Sequence, residues 1–158
     1  MNKIQIGGII QSADLSLIRV LGLPATVRTL AAVLKALGDR GISVQVVVQC
    51  GDLAGCNNLA MTVAQADREE SSTIAHAVGT EMGAQEVQVV PSVGMVAIYG
   101  PHFRERPAIA GAMFSALAEA GIEIMAISTS ISTVACVIAG EELTRAVDVL
   151  KGTFVLPK

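Results

Sequence analysis

The chain has 158 residues, 52% of them hydrophobic and only 3% aromatic, with no Trp and a formal net charge of −3. That leaves an aliphatic core in one ordinary domain or two very small ones. It also excludes the Lys/Arg cluster of a nucleic-acid-binding surface. No apolar run reaches the length of a membrane-spanning helix, and "MNKIQIGGIIQSAD" makes a poor signal peptide. A soluble, cytoplasmic protein is expected. Cys50, Cys56 and Cys136 are odd in number and lack the spacing of a zinc site or a disulfide framework, so they are expected to be buried, reduced thiols.

Residues 4–10, "IQIGGII", form a short predicted strand in which Gly7 and Gly8 mark a bulge or a close backbone approach. Asp14 is expected to turn the chain into a second strand at 15–21, ended by residues 22–24. Thr26 is placed to cap a helix whose Val27, Leu30, Val33, Leu34 and Leu37 make the i, i+3, i+4 stripe of a helix lying on a sheet. Gly41 stops it, and 44–49 is a strand. "CGDLAGCNN" is a polar loop and "LAMTV" another strand. The next helix begins at Asp67 with an acidic first turn that suits the helix dipole and ends at Gly83. Residues 86–90 are a strand.

From 15 to 90 the order is thus β-α-β-β-α-β, the ferredoxin-like unit, with both helices on one face of an antiparallel sheet. The second half repeats it. A strand at 95–100 leads to a helix with Pro107 at its first position, strands at 123–130 and 133–138, and a helix at 141–151. Ala36, Leu37, Gly41 and Ile42 recur eighty positions on as Ala116, Leu117, Gly121 and Ile122. The second copy lacks a fourth strand, while 4–10 has no place in the first. The N-terminal strand is therefore expected to complete the second sheet, because an open edge would leave unpaired backbone. The expected fold class is α+β: two ferredoxin-like βαββαβ domains, the first (14–92) inserted into the second (1–13 plus 93–158).

The sequence offers no catalytic constellation. His76 falls in a helix and His102 in a turn, without an acid or nucleophile at useful spacing, and neither GxGxxG nor a Walker pattern occurs. No catalytic residue, metal ligand or cofactor is expected. In "ISTSIST", Ser128 and Ser130 either present hydroxyls to a ligand or line a solvated face.

"MFSALAEAGIEIMAISTS" resembles the second ACT domain of aspartate kinases, and "LIRVLGLPATVRTLAAVLKALGDRGISVQVVVQC" resembles the first. The resemblance runs from about Gly8 to Phe154 and points to the C-terminal regulatory region, or β subunit, without a preceding kinase domain. It implies a non-catalytic regulatory module of amino-acid biosynthesis that forms a homodimer through its ACT domains. Such a module senses an amino acid at the ACT–ACT interface and acts on a kinase catalytic chain. Its effector-binding positions fall on Ala25, Thr26, Val27, Arg28 and Gln49 in the first domain and on Ala108, Ile109, Glu123 and Ile124 in the second.

The chain departs from the family pattern there. The Asp-Lys-Pro-Gly loop reads Ala25-Thr26-Val27-Arg28, so the acid and the glycine are both replaced. His-Pro-Gly reads Arg106-Pro107-Ala108, and Asn-Ile reads Glu123-Ile124. A hydrogen bond to a charged group is worth about 1.5–3 kcal/mol, so such losses would weaken threonine or lysine binding severely. Arg28 and Glu123 would then offer an alternative charged site. The competing expectation is a degenerate ACT scaffold that mediates dimerisation or partner binding without a small-molecule ligand.

Overall fold

The computed structural model describes residues 3–157 apart from 102, with the side chains of Val27 and Arg104 also outside that description. Six strands and four α-helices alternate along these residues: β1 (Gly8–Pro24), α1 (Val27–Asp39), β2 (Val44–Gly51), β3 (Cys56–Ala64), α2 (Arg68–Met82), β4 (Glu86–Tyr99), α3 (Ala108–Glu119), β5 (Ala126–Thr129), β6 (Thr133–Ala139) and α4 (Leu143–Thr153). They divide into an inserted unit, Asp14–Ser92, and an outer unit, Met1–Ala13 with Val93–Lys158. Each unit is ferredoxin-like, and the first is inserted into the second. No helix among the described residues is long and apolar enough to cross a membrane.

Asp14 does not separate two strands as the sequence suggests. It lies within the continuous β1, and Ser92 lies likewise within β4. Both are left-handed, each at φ 55°. Asp tolerates that conformation because its short polar side chain can bond locally. Both strands therefore run on through these left-handed residues.

In the inserted unit the strands lie in the order β2-β3-β1-β4. Ile18, Val20, Leu23, Leu59, Met61 and Val63 form the buried sheet face. Val33 and Leu37 of α1 and Ala75 of α2 are buried against it. Burying each such leucine contributes about 1.5–3 kcal/mol. Thr26 takes the extended N-cap conformation, but its side chain makes no cap bond. The buried Thr29 closes the turn instead, its Oγ1 donating to the Pro24 and Thr26 carbonyls at 3.1 and 2.7 Å. β1 is bulged between Val20 and Leu23, where Gly22 has φ 64° and donates its N–H to Asn58 Oδ1 at 2.9 Å. Gln65 Oε1 accepts from Ser16 Oγ and from the Ser92 N–H, tying the left-handed residue of β4 to β1.

In the outer unit the order is β1-β4-β6-β5. The N-terminal part of β1 takes the place of the fourth strand that the second repeat lacks. Val96, Ile98, Val134, Cys136 and Ile138 carry the core, with Ile109, Met113 and Leu117 of α3 and Ala146, Val147 and Leu150 of α4. Gly7 and Gly8 are a close approach: a Cβ on Gly8 would stand 2.7 Å from the Tyr99 hydroxyl. The buried phase passes from Ile6 to Ile9 across them. Pro107 is the N-cap of α3 rather than its first helical residue. Val155 pairs in parallel with Gln5, so the C-terminal tail borders the N-terminal segment.

Candidate functional site

The inserted unit gathers its expected site residues at the end of its helix-covered face. Ala25 and Thr26 form the exposed connection from β1 to α1, whose N-terminal residues are Val27 and Arg28; Arg28 is exposed. No acidic residue stands in the first turn of α1. Val27's side chain lies outside the described residues; its backbone opens the helix. Gln49 is exposed on β2 opposite Leu59, whereas Pro24 lies opposite Cys56. Three residues along β3 separate those levels, about 10 Å at the rise of a strand. With β3 between β2 and β1, Gln49 and the loop flank the same sheet end without meeting.

The outer unit places its candidates differently. Ala108 and Ile109 begin α3, and the Ile109 side chain is 2% exposed, committed to the core. Its N–H donates to the Arg106 carbonyl at 3.2 Å. Glu123, exposed, and Ile124, half-buried against the core, follow the other end of α3. A helix of 12 residues is about 18 Å long, so the unit does not bring Glu123 to Ala108. At the α3 N-terminus a cavity of about 560 Å³ is lined by Arg106, Pro107, Ile109, Thr129, Ser130 and Ile131, among others. Ser130 thus borders a cavity, and Ser128 does not line it. Thr129 lies eighty positions after Gln49, a signal by which the sequence could have singled it out. Arg106 Nη1 donates to the Gln5 carbonyl at 3.1 Å, so its guanidinium is fixed beside the cavity mouth.

His76 is exposed and bonds the Ser72 carbonyl of its own helix at 2.8 Å; His102 lies outside the described residues. No three His, Cys, Asp or Glu side chains among the described residues come together as a metal would need. The expectation of buried thiols fails for Cys50, which is exposed, and for Cys56, which is half-buried; Cys136 is buried. Burial pushes the Cys136 thiol up to about 12. The difference follows from position, since Cys136 faces the core and the other two flank a hairpin turn.

Comparison with known proteins places these elements in a family context. Residues 96–154 match the ACT domain model. An aspartate kinase of Pseudomonas fluorescens (strain SBW25) is 30% identical over 151 residues, 96% of this chain and 37% of that protein. The regulatory subunit of aspartate kinase from Thermus flavus superposes with a TM-score of 0.86 at 27% identity, covering 96% of this chain and 99% of that one. A chain in a crystal structure of aspartokinase alpha and beta subunits gives a TM-score of 0.84 at 27% identity, covering 94% of this chain and 97% of that chain. The chain spans 34–38% of the length of the curated aspartokinases it matches. It is therefore similar to the regulatory ACT region of aspartate kinases.

Proposed function

We propose that this tandem ACT chain, with domains at 14–92 and at 1–13 plus 93–158, is a non-catalytic regulatory module that senses an amino acid. Its effector would sit where ACT domains meet in a homodimer. The observation that carries the proposal is the near-complete mutual coverage with a regulatory subunit, 96% and 99%, against little more than a third of a whole aspartokinase. A kinase catalytic chain is the partner this supports. Ala25, Thr26, Val27, Arg28 and Gln49 would contribute from one domain, and Ala108, Ile109, Glu123 and Ile124 from another. The separation of these groups within each unit fits a site that needs a second domain to close.

The module would act by binding its effector more tightly in one arrangement of the assembly than in another. A thermal-shift screen over the twenty amino acids tests this. An effector at a hundred times its Kd stabilises the chain by about 2.7 kcal/mol, and no shift with any of them would sink the sensing role. Copurification with a coexpressed kinase catalytic chain tests the partner.

One observation favours the scaffold alternative. The family's acid and glycine are replaced by Ala25 and Arg28, and the α1 first turn has no acid. Under that alternative the wild type ignores threonine, and Arg28→Gly improves its affinity at least tenfold, about 1.4 kcal/mol. Threonine titration of the two proteins by calorimetry separates the outcomes.

A further inference from the structure

The β2–β3 hairpin of the inserted unit is longer than its counterpart. Val47 faces Met61, fourteen residues on, whereas Ile127, at the repeated position, faces Cys136, nine residues on. The additional length contains two cysteines. Cys50 lies opposite Asn58, and Cys56 is two residues from Asn58 on the same strand. Side chains alternate along a strand, so Cys50, Asn58 and Cys56 share one face. Leu59 and Met61, of the other phase, are in the helix-covered core, so both thiols lie on the face away from α1 and α2. Between them, residues 51–55 are all exposed. Asp52 Oδ1 accepts from the Ala54 and Cys56 N–H groups, each at 2.9 Å, which orders the turn. All three cysteines are free, but Cys136 is buried whereas Cys50 is exposed and Cys56 partly so.

We propose that Cys50 and Cys56 are a reactive dithiol that a low-molecular-weight disulfide, such as glutathione disulfide, converts to an intrachain disulfide. The Cys50 thiolate attacks one sulfur of glutathione disulfide, forming a mixed disulfide and releasing one glutathione thiolate. The Cys56 thiolate then attacks the Cys50 sulfur and releases the second. The two protein thiols lose two electrons and two protons, and glutathione disulfide gains them as two glutathione thiols.

Diagonal neighbours on antiparallel strands hold their Cα atoms about 7–8 Å apart, and a disulfide prefers about 5.5–6 Å and rarely exceeds 6.8 Å. Bond formation therefore draws the strand ends together by about 1 Å or more. A strained, exposed disulfide is readily reduced, so the step is reversible. Cys56 pairs with Pro24, and Cys50 follows Gln49. The movement thus reaches both segments that the proposed effector site uses. That consequence rests on the proposed function; the thiol chemistry does not.

The test incubates the reduced full chain with glutathione disulfide, quenches with acid and maps peptides by mass. Wild type and Cys136→Ser are expected to acquire a single 50–56 link that dithiothreitol removes, and Cys56→Ser to stop at a glutathione adduct on Cys50. Separate adducts on Cys50 and Cys56, a link between copies, or two unmodified thiols would overturn the dithiol. In the second arm, any amino acid that stabilises the reduced chain is titrated into the linked chain, with an affinity change of at least tenfold expected. An unchanged affinity overturns the coupling to the site. If no amino acid stabilises the reduced chain, the sensing role fails while a mapped link still supports the dithiol.

Discussion

The inserted and outer units agree where the chain packs and differ where it could bind. Leu37 and Leu117 are both fully buried, and Ile42 and Ile122 are 6% and 4% exposed. Gly41 and Gly121 have φ 72° and 71°. Even the apolar residues left open on the edge strands correspond, Val47 at 41% and Ile127 at 43%. The connections beside the first helix of each unit share nothing: Ala25-Thr26-Val27-Arg28 in one, Glu105-Arg106-Pro107-Ala108 in the other. Packing constrains both copies to one solution, because a close-packed interior registers the loss of a methylene. A solvent-exposed connection carries no such constraint and is free to serve chemistry.

The helix pairs show the same contrast on a smaller scale. In the inserted unit Arg40, following α1, bonds Glu70 of α2 at 2.5 Å. In the outer unit the cation is on the second helix: Arg145 pairs with Glu142 at 2.7 Å and donates to the Ala120 carbonyl at the end of α3. Both arrangements join the end of one helix to the start of the next, by different partners.

The equivalence of the cores is broken or sharpened first by Leu37→Ala and Leu117→Ala. Each is expected to lose about 2–5 kcal/mol, read from urea unfolding, and a loss confined to one of them would show that the two cores are unequal. The next largest effect separates the units by pH. The Cys136 thiol is raised in the folded state, so its contribution is intact below pH 9 and is lost as pH rises towards 12. The expected slope is about 1.4 kcal/mol per pH unit in that window. The slope should be carried by the difference between wild type and Cys136→Ala and be absent from the variant's own contribution. The inserted unit supplies no counterpart, because Met61, which holds the equivalent ladder position there, does not titrate.

Gly41→Ala and Gly121→Ala should each cost about 1–2 kcal/mol, since an L-residue is strained at these angles. Equal losses in thermal melts would support the equivalence of the two helix ends. The smallest effects belong to the helix-end cations. Arg145→Ala should cost about 0.5–1 kcal/mol through the lost bond to a helix C-terminus. Arg40→Ala should cost less than about 0.5 kcal/mol, because its ion pair is largely solvated. The reverse order would mean that the Arg40–Glu70 pair organises its unit more than its exposure suggests.

The periodicities of Leu30, Val33, Leu34 and Leu37, and of Ile109, Met113 and Leu117, make the helices and their buried faces legible in the sequence. The missing fourth strand pointed to the insertion. Strand continuity was not legible: Asp14 and the Pro91–Ser92 pair carry turn chemistry, yet both lie inside continuous strands. The hairpin at 51–55 read as a long polar loop because the Asp52 bonds that tighten it depend on a turn geometry the residue types do not specify. At the candidate site the sequence named positions but not their grouping. Ile109 was named both as a site position and as part of the inward stripe of α3, and it is buried in the core. Thr129 and Ser130 meet Arg106 only because β5 ends beside the start of α3.

The long excursion from β1 to β4 has a consequence for synthesis. The segment at 8–13 leaves the ribosome early, but its partner at 93–99 follows some eighty residues later. Closing a flexible loop of that size costs about 4 kcal/mol by chain entropy alone. Once the intervening unit has folded, β1 and β4 already lie side by side within it, and the two nascent segments are delivered to each other. Folding of the intervening unit before the split one would thus lower the entropic cost of bringing the two segments together.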